Sequence, residues 1–375
     1  PNMWVNEKEK NGKEGVDDDN NGYVDDIHGY NFLSTYNVED KSGELMPVNW
    51  TRQGDSGHGT HVAGTVAAVN NNGIGVCGVA GGDGTPGTGV RLMTCQLFSG
   101  NASCGTMSRA KAYKYAADMG ASVLQCSFGQ ASGLVKSDEE FKKFYSFEEE
   151  MLNYFMEHPS ANNPVDKNFA IFASGNDGQP LSGYPAAHQK YISVSAFGPD
   201  YLPTSYTNYG PGTNIAAPGG DYSINSTSAT PQRSQILSTL PKELGTGEYG
   251  YMQGTSMACP HVSGVVALAL SYAKKLRKHF KAEEIKELLY RSASPIEEHW
   301  NLDTPKLYYK YVGDLSEVHL SSMDLKNFRG KMGHGQVDAY AFLKAIEGED
   351  AGVRMSFPNV YLSVDSSATY SPAMY

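Results

Sequence analysis

Three residues of the right type for acyl transfer stand far apart in the chain: His58, Asn176 and Ser256. Ser256 lies in Gly254-Thr-Ser-Met-Ala-Cys-Pro-His-Val-Ser-Gly264, which runs directly into Val265-Val-Ala-Leu-Ala-Leu270. The stretch Met257–Tyr272 is almost free of charge, which predicts a helix buried on most sides. Pro260 does not oppose it, because the first four N–H groups of a helix have no intrahelical partner to lose. A serine delivered by a glycine turn to a helix N-terminus sits where developing negative charge is favoured. An isolated serine in that setting is more often a simple N-cap; its company argues otherwise. His58 lies in Asp55-Ser-Gly-His-Gly-Thr-His61, held by glycines at the start of a small-residue helix and so approachable by a substrate, as a general base must be. His58 and His61 as a metal pair lack a third ligand nearby. Asn176 ends the apolar run Phe169-Ala-Ile-Phe-Ala-Ser-Gly-Asn176 and offers an amide donor there. A base, a hydroxyl and a donor for an oxyanion are the parts that acyl transfer needs.

The elements that must position them alternate. Val90–Phe98 reads as a strand, 106–120 as a helix, Val123–Gly129 as a strand and 141–158 as a helix. Phe169–Asn176 and Tyr191–Ala196 read as further strands. Short apolar strands alternating with helices predict an α/β fold with a parallel central sheet and helices on both faces. In such sheets the working residues gather at the carboxyl ends of strands, where Ser127–Gly129 and Ser174–Asn176 fall. Residues 200–255 read as loop and short strand. Ala282–Ser292 is an amphipathic helix with Ile285, Leu288 and Leu289 on its buried stripe, and Gly333–Leu343 opens a last helix. The expected organisation is one domain over 1–348, carrying a charged, aromatic insertion at about 295–330. The tail 349–375 reads as the start of a further β module.

A net charge of −11 over 375 residues argues against nucleic acid or an anionic membrane as partner. No continuous apolar run has the length of a membrane span. Five cysteines leave at least one unpaired. Cys95 and Cys126, in strand-like runs, read as buried free thiols, while a Cys77–Cys104 loop disulfide stays open. Pro1-Asn2-Met3 is neither an initiator nor a signal sequence, as expected of a processed or trimmed product. In Asp17-Asp-Asp-Asn-Asn-Gly-Tyr-Val-Asp-Asp26, the residues Asp17, Asp19, Asn21 and Gly22 reproduce the opening of a calcium loop, with Asp25 as a further oxygen donor. His28 occupies the twelfth position, so the loop is not an EF-hand. A bound Ca²⁺ and a solvated acidic turn both fit.

Gly57-His-Gly-Thr-His-Val-Ala-Gly64 and Gly254–Gly264 resemble the histidine and serine signatures of the subtilisin-like serine proteases, and Ala173-Ser-Gly-Asn176 resembles their oxyanion segment. The resemblance runs in order from about His58 to Leu343 and takes in Gly75–Ala80, Tyr184-Pro185 and Ala217-Pro218-Gly219. It implies a serine endopeptidase acting on extended polypeptide. His58 would be the general base and then acid, and Ser256 the nucleophile. Asn176 and the Ser256 N–H would form the oxyanion hole. It further implies that Ser127, Phe128 and Gly129, with Ala173, Ser174 and Gly175, wall the substrate pocket. Asn72, Ile74 and Val76 would form a calcium loop, and His61 and His261 would be structural. A secreted or cell-surface location is implied by the same resemblance.

One element of the family pattern has no match. The family order is Asp, His, Ser, with the Asp ending an apolar strand. Before His58, Asp17–Asp26 lie in a polar turn and Asp55 in a loop three residues from the histidine. Trp4–Phe32 resembles the segment after the Asp strand in members with a long insert, so the Asp strand is expected just upstream, either on a retained N-terminal fragment, the expected partner, or on a stretch that the sequence as given lacks. The rival expectation is a catalytically inactive member of the fold that binds peptides or serves as a scaffold.

Overall fold

The computed structural model describes residues 2–48, 56–100, 102–225, 231–312 and 317–348. Asp55 and the tail 349–375 lie outside the described residues. In chain order the main elements are β1 (Gly29–Asn31), α1 (His58–Ala67), β2 (Thr94–Gln96), α2 (Thr106–Asp118), β3 (Val123–Cys126), α3 (Asp138–Phe144), α4 (Ser146–Glu157), β4 (Phe169–Ala173), β5 (Ile192–Phe197) and β6 (Ile215–Pro218). A hairpin comes next, β7 (Ile236–Thr239) and β8 (Tyr249–Met252), then α5 (Thr255–Lys275) and α6 (Ala282–Ser292). A second hairpin, β9 (Lys306–Val312) and β10 (Glu317–Met323), precedes α7 (Ala339–Glu347).

β3, β4, β5 and β6 form one parallel sheet in that order. β4 and β5 are buried along their whole length; β4 is an unbroken apolar run, as a central parallel strand requires, and in β5 the buried hydroxyls of Ser193 and Ser195 are hydrogen-bonded to Ser182 Oγ and Ile215 O. On one face α5 packs Ala258, Val262, Val265, Val266 and Ala269 against Ile171, Val194 and Ile215, with α6 and α7 outside it. On the other face α2 and α4 bring Tyr113, Leu152 and Phe155 against Leu124 and Phe172. The fold is therefore α/β with helices on both faces. Among the described helices α5 alone is long and apolar enough to cross a membrane, and two thirds of its apolar window is buried inside the fold (67%). Small polar residues (Ser263, Gly264, Ser271) interrupt its apolar stretches and keep each continuous one shorter than a span. In the fold this helix is the central core element.

Two elements differ from expectation. The helix read as 141–158 is two helices, because Tyr145 leaves the helical region (φ −130°) and stacks on Phe141. β6 lies in a segment read as loop and short strand, with no strand placed at these residues; its Ile-Ala-Ala-Pro carries little strand signal, and the ladder is supplied by β5 and by Gln336, which bridges Ala216 from the far side. The insertion at 295–330 packs onto the sheet rather than standing clear of it. Ile296, Trp300, Leu325 and Phe328 cluster with Phe197 and Ala216. Lys306 is buried and reaches Asp221 at 2.7 Å and Asp200 at 3.2 Å.

β1 and β2 form a separate two-stranded parallel sheet. Thr94 N donates to His28 O and Gln96 O accepts from Phe32 N, so Thr94 and Gln96 turn their backbone groups toward β1 and Cys95 turns its own away. In β3, Ser122 O accepts from Phe169 N, so the backbone groups of Val123 and Gln125 point away from β4. Both outward edges lie over α2, whose Ala112 and Tyr115 pack under the first sheet and whose Tyr113, Ala116 and Ala117 pack under the second. Cys95 touches both clusters, and Phe98 meets Phe128 edge-on at 5.9 Å. Among the described residues no strand lies against either edge, and β2 and β3 are only partly buried where β4 and β5 are wholly so.

Candidate active site

Ser256 is the second residue of α5. Gly254 precedes the helix with φ 145°, a conformation that L side chains rarely adopt, and this turns the chain sharply from β8 into α5. The Ser256 N–H belongs to the first turn and has no intrahelical acceptor. Its hydroxyl is half-buried and donates to Ser127 O at 3.3 Å, while Ser127 Oγ donates to Ser256 O at 2.7 Å. The carboxyl end of β3 is thereby tied to the start of α5.

Asn176 stands exposed just past the end of β4. Its Oδ1 accepts from Thr255 N at 2.9 Å and from Thr255 Oγ1 at 2.8 Å. With the amide oxygen doubly held on the residue before the serine, Nδ2 is turned outward, and no protein acceptor takes it among the described residues. Thr255 Oγ1 also accepts from Gly175 N at 3.3 Å. Thr255 carried no signal of its own beyond its place in the serine motif. An outward amide and a first-turn N–H beside one hydroxyl form an arrangement suited to an oxyanion.

His58 opens α1. Gly57 before it adopts φ 73°, and a side chain there would meet Leu244 and Pro241. α1 and α5 pack closely where Gly264 meets Val66 and Val79; a Cβ on Gly264 would lie 2.7 Å from Val79 Cβ. Val66 and Gly264 each lie a little over two turns into their own helices. His61 and His261 also lie close enough to interact electrostatically. The two helices therefore run side by side with their N-termini at one end, which puts His58 and Ser256 on the same side of the molecule. His61 Nε2 donates to Ile236 O at 3.0 Å and Gly250 O at 3.1 Å, and His261 Nδ1 contacts Met257 O at 2.8 Å. Burial pulls both imidazoles below the usual histidine range, and His61 ties α1 to the β7–β8 hairpin while His261 bonds within α5.

The two segments read as pocket walls meet across Gly183-Tyr184. Gly183 N donates to Ser174 O at 2.8 Å, and Gln130 N donates to Tyr184 O at 2.8 Å. A side chain at Gly129 would approach Tyr184 O at 3.2 Å, and one at Gly183 would strike Gln130 O. Ala173 and Ser174 are buried. Phe128 packs its ring against Phe172 and Phe98, so Ser127 and Gly129, with Gly175, offer backbone rather than side chain.

All five cysteines are free. Cys77 is exposed and Cys104 buried, so the loop disulfide left open above is not formed. Burial pushes the Cys95 thiol up to about 12 and that of Cys259 up to about 11, as befits packing groups.

In the acidic segment, Asp19 gathers with Glu9 and Asp26, their carboxylate oxygens all within 4.8 Å of one another, and Glu9 and Asp26 are buried. Asn6 Nδ2 bridges Asp19 and Asp26; Asn21 Nδ2 and Tyr115 OH both donate to Asp26. Burial raises the Asp26 and Glu9 carboxyls above the usual range. Asp17 instead accepts from the backbones of Asn21 and Gly22, Asp25 accepts from Gly15 N, and Asn21 Oδ1 from Tyr23 N. Glu9, from a single helical turn at Glu7–Lys10, carried no sequence signal. Asn72 is exposed, and its Oδ1 closes a turn onto Ile74 N; Ile74 is exposed and Val76 half-buried.

Residues 17–334 match the family model of the subtilase family, peptidase S8. The chain belongs to the subtilase family. It is 30% identical over 279 residues to subtilisin-like protease 1 of Plasmodium berghei, covering 72% of this chain and 39% of that protein. It is 30% identical over 224 residues to thermitase of Thermoactinomyces vulgaris, covering 60% of this chain and 64% of that one. The chain thus spans less than two thirds of either relative. Among solved structures, this subtilase is similar to a prenylagaramide maturation protease (TM-score 0.56, 23% identity, 80% of this chain and 86% of that one). It is also similar to a protease from Pseudoalteromonas arctica (TM-score 0.55, 22% identity, 85% and 83%). These likenesses establish the subtilisin-like fold.

Proposed function

We propose that this subtilase is a serine endopeptidase whose nucleophile is Ser256, whose base is His58 and whose oxyanion donors are Asn176 Nδ2 and the Ser256 N–H. The observation that carries the reading is the clamp of Thr255 on Asn176 Oδ1, which aims a free amide donor beside a hydroxyl at a helix N-terminus. In the reaction, Ser256 Oγ attacks the scissile carbonyl while His58 takes its proton. The carbonyl oxygen becomes an oxyanion and accepts hydrogen bonds from the two donors. His58 then returns the proton to the leaving amine. Water, deprotonated by His58, hydrolyses the acyl-serine ester and restores the free hydroxyl. The segments Ser127–Gly129 and Ala173–Gly175 would take the substrate as an added extended strand.

The aspartate of the triad would come on a parallel strand lying between β2 and β3. Two facts support this: the edges of β2 and β3 turned away from β1 and β4 point unpaired backbone groups over a shared helix, and both strands are less buried than their neighbours. An N-terminal fragment is the partner this reading requires. Calcium is common in the family, and Glu9, Asp19 and Asp26 form a hard oxygen donor set of the kind it takes. Of the residues singled out in the sequence, Asp19 belongs to this set; Asp17, Asn21 and Asp25 would shape the loop around it. Asn72, with carbonyls of Ile74 and Val76, is the second candidate. A location outside the cell fits relatives such as the extracellular basic protease of Dichelobacter nodosus, 30% identical over 247 residues.

The deciding experiment is labelling with a peptidyl phosphonate, on protein produced together with its upstream sequence. A covalent adduct on Ser256, absent from Ser256→Ala, is expected. No adduct in the presence of the upstream segment would overturn the peptidase reading in favour of a peptide-binding scaffold.

A further inference from the structure

Between β5 and β6 the chain runs through Thr204-Ser-Tyr-Thr-Asn208, five residues that hydrogen-bond to both the Asn176 segment and the Gly254 turn. Thr204, Thr207 and Asn208 are fully buried. The Asn208 side chain uses all four of its hydrogen-bonding positions on the segment that carries Asn176. Oδ1 accepts from Asp177 N at 3.0 Å and Gln179 N at 3.1 Å. Nδ2 donates to Ser174 O at 3.0 Å and to Asp177 Oδ2 at 2.9 Å. Its backbone adds to these, with Asn208 N donating to Gly175 O at 3.0 Å and Ser174 Oγ to Asn208 O at 3.1 Å. Two residues earlier, Tyr206 holds the other half of the site. Its OH shares the Gly254 N–H with Gly219 O, each at 3.0 Å, and its single proton points between Gly220 O at 2.6 Å and Gly219 O at 2.9 Å. Tyr206 O also accepts from Gly178 N at 2.8 Å. Between them, Thr207 Oγ1 accepts from Ala196 N at 2.9 Å and hangs the segment from β5.

We infer that Tyr206 and Asn208 are positioning residues: through one buried segment they fix the Asn176 amide and the Gly254 turn that presents Ser256 in a single mutual geometry. The physical need is specific. Asn176 is exposed and follows Gly175, whose φ of 108° gives that point of the chain little preference of its own. The Thr255 clamp orients the amide about its own axis. It does not fix where the Asn176 backbone lies, and that is what Asn208 does from behind. A donor displaced by about 1 Å loses most of its value to a transition state. This role deepens the peptidase reading and rests on it for its kinetic consequence.

The test uses Asn208→Asp, which keeps the shape but turns an acceptor toward Ser174 O and the Asp177 carboxylate. Asn208→Ser serves as a milder substitute should that variant not fold, and Tyr206→Phe removes one oxygen only. In protein carrying its upstream sequence, Asn208→Asp is expected to lower kcat per phosphonate-titrated site roughly 10- to 100-fold, a fraction of the loss of a whole oxyanion donor, and to change KM less than about twofold. In an Asn176→Ala background the same substitution should cost less than about threefold, because both act through one amide. Hydrogen exchange should rise at 174–179 in the Asn208 variants and at 253–257 in Tyr206→Phe, with β4 and β5 unchanged. Additive losses in the double variant, or a lower titratable fraction with unchanged kcat per site, would reduce the segment to a folding role and overturn the inference. Unchanged exchange at both stretches would overturn it whatever the activity. If wild-type protein shows no Ser256-dependent turnover, the peptidase reading falls, and the exchange measurement still decides the brace.

Discussion

At the scale of single residues the site separates groups that meet the substrate from groups that aim them, and the sequence exposes these two kinds unequally. His58, Asn176 and Ser256 are legible because each sits where chemistry demands an unusual setting: a histidine among glycines, an amide just past a strand end, a serine at a buried helix start. Thr255 sits inside the serine motif, yet nothing in its type predicts that both its N–H and its hydroxyl converge on Asn176 Oδ1. Tyr206 and Asn208 lie in a segment read as loop and short strand, and their partners are remote in the chain, so no local pattern points to them. The Thr255 clamp makes a direct prediction. Thr255→Val keeps the shape and the backbone bond at 2.9 Å but removes the hydroxyl donor. One hydrogen bond of this kind contributes about 0.5–1.5 kcal/mol, so kcat should fall roughly 2- to 12-fold with KM little changed. A rise in KM at constant kcat would mean that Thr255 serves substrate binding and not the orientation of Asn176.

At the scale of elements the parallel sheet, α2, α5 and α6 follow from apolar run lengths, period and charge-free stretches, which depend on local sequence alone. The elements that escaped were set by tertiary partners. β6 is a strand because β5 and Gln336 flank it, and Tyr145 breaks a helix because its ring stacks on Phe141. The division of the parallel strands into a pair and a quartet was equally hidden, since pairing order is not written in any one strand. It yields a prediction about β2 and β3. The amides of Cys95 and Gln125 face the space between the sheets, whereas those of Thr94, Leu124 and Cys126 face paired neighbours. In protein comprising these 375 residues alone, Cys95 and Gln125 should exchange their amide hydrogens at least about tenfold faster than those neighbours, as unpaired edge groups do. Adding the upstream segment should bring them to the same protection. Equal protection without it would show that no strand is called for between β2 and β3, and the proposed source of the aspartate would go with it.

At the scale of the whole molecule, the sheet and α5 are clasped from two flanks by parts that a minimal reading treats as peripheral. On one flank the insertion at 295–330 is pinned by buried Lys306 between Asp200 and Asp221, next to the segment that leads into the Tyr206–Asn208 brace. On the other flank residues 6–32 fold onto α2 through Tyr23, Tyr30, Phe32 and Tyr115, and Asp26 accepts from Tyr115 OH beneath them. Glu9, Asp19 and Asp26 lie inside that second clasp, where three carboxylates repel unless a cation or protons intervene. A calcium ion there would bind the folded arm and not the unfolded chain. Its removal should therefore destabilise the protein by mass action, by about 3 kcal/mol for an ion present at a hundred times its dissociation constant. For a domain of this size that amounts to roughly 4 °C in melting temperature. Melting curves in millimolar Ca²⁺ and in EDTA should differ by that amount. Asp19→Ala should abolish most of the difference if the arm holds the ion, and Asn72→Ala should abolish it if the second loop does. Curves that coincide in Ca²⁺ and EDTA would remove calcium from both places, and the arm would then be held by its aromatic cluster, the β1–β2 ladder and the Tyr115–Asp26 bond.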